Sequence, residues 1–527
     1  MALTTQQESD LLSMLAAYQN GEQIDDLPAA SMDATDKKIE VFDTKSGASQ
    51  CMDLTAAVDM ANAPWCGRVW RTDLSTPTAE TYCGSLEMLR NLADILGLGC
   101  YLVKNDHSRR KLDPTNHYRF ANGETAKLDG SMGHYQWGWN KPFYYAKWTV
   151  GVREYQAISL YPIKGQYNYR IPVGSLSATG LAALDRTNDT LVSYINDDAQ
   201  YRGGNNTPGW DGTYRTLLGR CATNRTTAQF AAAAHKNGAG WLGGTMRGAA
   251  VVKILVEIIM GTRNVQAAYN ASKDANGLYQ GGFGTGVTNW NGTSWNNYNG
   301  YNPFLHLSAA VDMGDGVGVK AVPVQDESGT TVFTANVPVF FGLKNFFGYI
   351  WRVSEDELAE ANADKSMKHW ITPSIYETYT YGSTSGMSLK STSPASSGSY
   401  IKKMSRDNLE MWPTEVGGSE STYEADYFWN GSGITSGFRA VFRGADGRWW
   451  PCGLWRGQCE QCCHVCLCGP RLAPLRIRRG VCSGAGVLRG GIGWSLVGAG
   501  NGVFVVFDEN KEPGDRREPP LRRMRRN

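Results

Sequence analysis

Apolar residues recur at helical spacing in four stretches of the chain. Leu11, Leu12, Met14, Leu15 and Ala16 form one stripe within Thr5–Tyr18, which predicts a short amphipathic helix behind a threonine cap. Leu86, Leu89, Leu92 and Ile95 form a second within Ser85–Leu96. Asn224–Gly238 carries Thr226 or Thr227 as cap, the interior Ala231–Ala234 and Gly238 at its end. The fourth runs from about Met246 through Val251, Leu255, Ile258 and Ile259 and stops at Gly261. Extended pieces read differently. Lys38–Phe42 followed by Thr44–Gly47 predicts a strand and hairpin, and Val332–Val337 a strand. Between residues 135 and 161, Tyr144, Tyr145, Trp148, Tyr155 and Tyr161 alternate with β-formers, which suits strands of a sheet. Tyr279–Tyr301 is dense in Gly, Asn and aromatics and predicts loops over a sheet, too polar for a core.

These elements divide the chain into four parts. Residues 1–62 form a small unit with too little apolar surface to bury a core alone, which fits an attachment module. Residues 63–134 are a mixed connecting segment, residues 135–445 the main domain, and residues 446–527 an Arg/Cys-rich tail. Abundant glycine, modest charge and a 42% apolar fraction favour a turn-rich α+β architecture over helical bundles.

Charge and cysteine usage isolate the tail. Residues 446–527 hold seven of the twelve cysteines and fourteen basic against seven acidic residues, leaving 38 against 43 upstream, a net of −5. Cys459, Cys462, Cys463, His464, Cys466 and Cys468 include two C-x-x-C pairs that could hold zinc, yet all crowd into ten positions with only Cys482 beyond. A shift of one nucleotide offers another account. It turns Gln458–Cys459 into Asn or Ser, Cys462–Cys463 into Val or Ala and Trp449–Trp450 into Gly, so the cysteines vanish and the upstream composition returns. The out-of-frame reading is preferred, and it leaves this tail poorly ordered; a genuine basic tail ending Pro519–Arg526 would be a nucleic-acid arm. The upstream cysteines Cys51, Cys66, Cys83, Cys100 and Cys221 are scattered and odd in number, which suggests reduced thiols in a protein made in the cytoplasm. No apolar segment follows Met1 and no run of 18 apolar residues occurs, so neither export by signal peptide nor membrane insertion is expected.

Catalytic signals are poor. Gly282-Phe-Gly-Thr-Gly286 imitates part of a phosphate loop without its strand and helix, so turn glycines explain it. His235 sits near a helix end, where an imidazole more often meets carbonyls than substrate. Asp312 and Asp315 could bind calcium, with a solvated turn as the preferred reading. Arg263, beside Thr262, Asn264 and Gln266, is expected to scaffold the helix end by meeting free carbonyls. No catalytic residue, metal or cofactor is assigned.

Gly261–Gln266, Phe341-Gly-Leu-Lys-Asn-Phe-Phe-Gly-Tyr-Ile-Trp351, Gly417–Ser419 and Gly437-Phe-Arg-Ala-Val-Phe-Arg-Gly444 carry a resemblance. In order and spacing they resemble the signatures of the C-type-lectin-like fold, in the version of formylglycine-generating enzymes and of the variable proteins of diversity-generating retroelements, especially those on phage tails. The match covers about residues 135–445, and residues 24–61 resemble the virion-anchoring modules of such tail proteins. The resemblance implies an α+β domain that displays a diversifiable surface. It implies a receptor-binding protein on the phage virion, made in the bacterial cytoplasm, oligomeric, and partnered by other tail proteins and by a host cell-surface protein or glycan. In such proteins adenine-directed mutagenesis rewrites Asn codons, and the shifted-frame Asn/Ser positions after Gly444 lie where that region would be. The formylglycine-generating relatives imply a competing enzyme reading, which needs a cysteine pair, and no cysteine lies between Cys221 and Cys452. A purely structural virion protein is a third possibility. The Glu-Pro-Asn and Gln-Pro-Asp triplets of calcium-dependent lectins are absent from the fold region.

Aromatic rings give rigid contact area and amides adaptable hydrogen bonds, so the candidate ligand-binding residues are Trp210, Trp290, Trp295, Asn296, Asn297, Tyr298, Tyr427 and Trp429. Packing beneath the loops is the competing role for the tryptophans. Neither nucleic acid nor a membrane is an expected partner.

Overall fold

The computed structural model describes residues 38–43, 48–53, 63–196, 198–201, 222, 225–289, 305–325, 330–347, 352–374, 377–396, 398–406, 409, 411–429, 435–443 and 504–507. Within them the fold is α+β and largely β, with four α-helices. The chain opens on a hairpin of β1 (Lys38–Asp43) and β2 (Ala48–Asp53), in which Asp43 faces Ala48, in line with the expected strand and turn. The expected helix Thr5–Tyr18 lies outside the described residues.

Next come β3 (Trp65–Arg71), β4 (Thr81–Gly84), α1 (Leu86–Arg90), α2 (Leu92–Leu96), β5 (Gly99–Val103), β6 (Arg109–Asp113), β7 (Asn116–Phe120) and β8 (His134–Trp139). The single helix expected over Ser85–Leu96 is broken at Asn91, which ends the first half, where its side chain bonds the carbonyl and carboxylate of Glu87, and precedes the second without a side-chain cap. Ser85 caps the first half and Gly97, with φ of 70°, ends the second. β9 (Phe143–Val150), β10 (Arg153–Ser159), β11 (Asn168–Ile171) and β12 (Gly174–Ser177) follow.

These strands form two five-stranded sheets, ordered β11-β9-β10-β3-β4 and β12-β8-β5-β6-β7. Since β3 pairs with β10 and β5 with β8, the expected boundary between residues 134 and 135 runs through both sheets. β8 is buried at every position, and its Trp137 and Trp139 join Phe143 and Tyr145 of β9 in the main core.

After the hairpin β13 (Ala183–Asp185) and β14 (Thr190–Val192) come the two long helices. α3 (Thr227–His235) has a complete capping box, Thr226 with Gln229. α4 (Met246–Met260) is buried along its whole length and ends at Gly261 in the left-handed conformation, φ 69°. An all-round apolar helix belongs inside a molecule, and α4 is the axis of the main core. Short β15 (Tyr269–Asn270) and β16 (Gln280–Gly281) precede the antiparallel set β17 (Gly318–Gln325), β18 (Thr331–Phe340) and β19 (Leu343–Lys344). Part of the stretch expected to be too polar for a core enters it, since Phe283 and Val287 are fully buried.

The last sheet comprises β20 (Arg352–Ala361), β21 (Met367–Ile371), β22 (Ser388–Thr392), β23 (Gly398–Ser405), β24 (Trp412–Val416), β25 (Tyr427–Trp429), β26 (Phe438–Arg443) and β27 (Phe504–Phe507). Its order is β22-β21-β20-β26-β27-β25-β23-β24. β26 therefore lies inside the sheet, antiparallel to β20, with Arg443 opposite Arg352 and Phe438 opposite Glu360.

Candidate functional site

The signature segments meet as two pairs: Gly261–Gln266 with the loop after Gly417–Ser419 at the C-terminal end of α4, and Asn345 and Phe346 with the β20–β26 pairing. Gly261 turns the chain so that the carbonyls of Ile258 and Ile259 accept from the buried Arg68 guanidinium, at 2.9 and 3.2 Å. Arg68, not Arg263, satisfies the helix end. Arg263 instead donates to Glu154, lies 3.6 Å from Glu424 and stacks over Trp70 at 4.8 Å. It scaffolds as expected, through carboxylates and an aromatic face rather than carbonyls. Asn264 donates to the Glu420 carbonyl at 3.3 Å, which joins the first signature to the loop after Gly417–Ser419.

Behind this junction lies a charged knot within the core. Lys253 and Glu257 stand one turn apart on α4, 3.1 Å from each other. Lys253 also meets Asp426 at 3.0 Å. Arg406 makes a two-pronged contact with Glu424, at 2.8 and 2.5 Å, and reaches Glu257 at 2.9 Å. Gln156 donates to Glu257 at 3.3 Å and accepts from Tyr145 at 2.9 Å. Burial alone would raise Glu424, yet Arg406 and Arg263 hold its carboxyl down at about 2. Asp426 is pushed up to about 7 by burial, Lys253 only partly offsetting this, because Glu257 and Glu424 share that ammonium.

A second anchored point lies under β26. Between Val353 and Leu358 the β20 register slips, and the bulge carries three consecutive acids inward. Asp356 accepts from the Met246 backbone N–H at 2.6 Å, which fixes the start of α4. Glu355 meets His235 at 3.2 Å, so this imidazole pairs with a carboxylate rather than carbonyls. Glu357 accepts from Arg443 at 2.7 Å, and Arg443 also donates to Ser354 Oγ at 2.8 Å. Burial raises both Glu355 and Asp356 above the usual carboxylate range. Arg352, at the other end of the pairing, donates to the carbonyls of Asn345 and Phe346 and so ties the Phe341–Trp351 signature to the same base. The chain thus reaches residue 443 from a locked position.

Of the sequence-derived candidates, Trp210, Trp290, Trp295, Asn296, Asn297 and Tyr298 lie outside the described residues. Tyr427 is half-buried on β25, edge-on to Tyr400 at 5.1 Å, and Trp429 ends that strand opposite Gly398. These two therefore share a strand next to β23 and β27.

One polar cluster was not anticipated. Cys100 on β5, His117 on β7 and Asp315 in the turn before β17 bring donor atoms within 4.8 Å of one another. His117 Nε2 is 2.9 Å from Asp315 Oδ1, and His117 Nδ1 is 2.5 Å from the Tyr135 hydroxyl. The Cys100 backbone N–H donates to the same Asp315 oxygen at 2.9 Å. Lys344 donates to Tyr135 at 2.9 Å and to the Gly342 carbonyl at 2.8 Å. Asp315 is therefore no solvated turn residue, whereas Asp312 is exposed and paired with Lys320 at 2.7 Å. The roles of Cys100 and His117 were hidden in sequence because the acid they share, Asp315, is about two hundred positions away.

No family model matches the chain, no curated protein matches it, and no solved structure matches it.

Proposed function

We propose that the protein is a receptor-binding protein of a phage tail, with a C-type-lectin-like domain that displays a diversifiable host-recognition surface. The observation that carries this reading is the anchored end of the fourth signature segment, β26, on the last sheet. Strand β26 is held inside a sheet and its final residue, Arg443, is bonded to Glu357 and Ser354. Sequence between this anchor and β27, which pairs with both β26 and β25, can vary without removing a strand from the sheet. Tyr427 and Trp429 lie on β25 of the same sheet, and an aromatic pair there suits a recognition face. The partner is a host surface protein or glycan, bound by shape and amide-aromatic contacts rather than by catalysis. Attachment to the particle falls to the N-terminal unit, and the displayed surface acts as an oligomer.

Binding is tested with fluorescently labelled protein in two forms, one with the tail as given and one with the neighbouring-frame text after Gly444. Each is mixed with panels of whole bacterial cells, untreated, protease-treated or periodate-oxidised. The neighbouring-frame form is expected to label a subset of strains, and the treatment that abolishes labelling identifies protein or glycan. Failure of both forms to label any strain would remove the receptor-binding reading and leave a structural virion role.

A further inference from the structure

We propose that Cys100, His117 and Asp315 form a buried binding site for a thiophilic divalent metal ion, zinc first, which staples the β12-β8-β5-β6-β7 sheet to the turn ahead of β17. Thiolate, imidazole and carboxylate are a zinc donor set, and the thiolate disfavours calcium and magnesium, which take oxygen. Their donor atoms already lie within 4.8 Å of one another; a tetrahedral ion needs roughly 3.3–3.7 Å between donors, so the 2.9 Å hydrogen bond between His117 Nε2 and Asp315 Oδ1 gives way to the ion while the wider separations close. The surroundings are built for such an ion. The Asp315 side chain is 9% exposed and its Oδ2 has no hydrogen-bond partner, an unsatisfied buried oxygen that a cation would occupy. His117 offers Nε2 to the cluster while Nδ1 faces the Tyr135 hydroxyl, the outer contact that fixes ring and tautomer in metal-bound histidines.

Backbone close approach holds the donors together. A Cβ on Gly342 would come within 2.7 Å of Cys100 Sγ, and one on Gly99 within 2.3 Å of Asp315 Oδ2. Both positions have positive φ, 92° and 148°, so glycine is required there twice over. One thiolate and one carboxylate offset the charge of a divalent ion, with the buried Lys344 as a further cation beside them. Lys344 reaches the cluster through the Tyr135 hydroxyl rather than as a donor-set member. Cys100 is fully buried, which suits a structural ion and excludes attack on an external substrate.

This inference stands apart from host recognition and is tested on the full-length protein, purified after growth in zinc-supplemented medium. Elemental analysis is expected to find about one zinc per chain. X-ray absorption at the zinc edge is expected to find one sulfur at about 2.3 Å with nitrogen and oxygen at about 2.0–2.1 Å. Cys100→Ser and His117→Gln lose the metal. A variant with Cys459, Cys462, Cys463, Cys466 and Cys468 changed to serine keeps it. Absence of zinc overturns the site, as does an all-sulfur shell that disappears from the tail variant. Should Cys100→Ser fail to fold, cobalt added to the wild-type protein gives an independent reading. A single-thiolate charge-transfer band in the near ultraviolet supports the site, and a spectrum without it removes the proposal.

Discussion

Arg406 illustrates what a single side chain does in this protein. It is fully buried and contacts Glu257 and Glu424 together, so its removal leaves these two carboxylates and Asp426 with only Lys253 and Arg263 against them in a low-dielectric interior. Arg406→Met is expected to cost about 3–5 kcal/mol, read from the shift of a urea midpoint at unchanged slope. The knot also sets a pH dependence whose sign differs from residue to residue. Glu424, held at about 2, contributes stability that is present above its unfolded value and lost as pH falls towards 2. Asp426, raised to about 7, does the reverse: it binds a proton more readily folded than unfolded, and stability is lost as pH rises from about 4 through 7. Asp426→Asn should therefore gain stability relative to wild type between pH 4 and pH 7. A ratio that stays flat across that window would show that Asp426 is ionised throughout. Little of this was legible in sequence. Lys253 and Glu257 interrupt an otherwise apolar helix at a spacing of four, which was the available signal, but Arg406, Glu424 and Asp426 reach them only through the tertiary fold.

Helix α4 and its stop were legible because periodicity and a terminal glycine are local properties. The Ser85–Leu96 helix was legible as helix but not as two, because Asn91 breaks it with its own side chain, a competition that an apolar stripe does not register. The three acids Glu355, Asp356 and Glu357 drew no expectation from sequence, because only the β20 bulge takes all three inward to meet α3, α4 and β26. Gly261 carries two demands at once. It needs the left-handed conformation, and an added Cβ would sit 2.9 Å from the Arg68 guanidinium carbon. Gly261→Ala is expected to lose about 1–2 kcal/mol from backbone strain alone, with a further loss as Arg68 is displaced from the Ile258 and Ile259 carbonyls. Denaturant titration measures the sum, and a loss below about 1 kcal/mol would mean that the turn relaxes freely.

Across the molecule, a charge-locked interior supports elements drawn from distant parts of the chain. Glu154 on β10, Glu257 on α4 and Glu424 before β25 meet around Arg263, so the N-terminal sheets and the last sheet share one anchored centre. Under the host-recognition reading, the text between Arg443 and β27 can be exchanged while that centre stays intact. Replacing it with several unrelated neighbouring-frame variants is expected to change which bacterial strains are labelled and to leave the thermal midpoint of the core within a few degrees. Midpoints that scatter with the exchanged text would show that this segment is part of the fold.

The position of β26 also governs when the protein can fold. Arg352 waits for Arg443, so on the ribosome β20 emerges with one edge unpaired until some ninety further residues have been synthesised. Throughout that interval the nascent chain presents an open strand edge of the kind that aggregates or recruits chaperones, and closure of this sheet is a late, slow event of biogenesis.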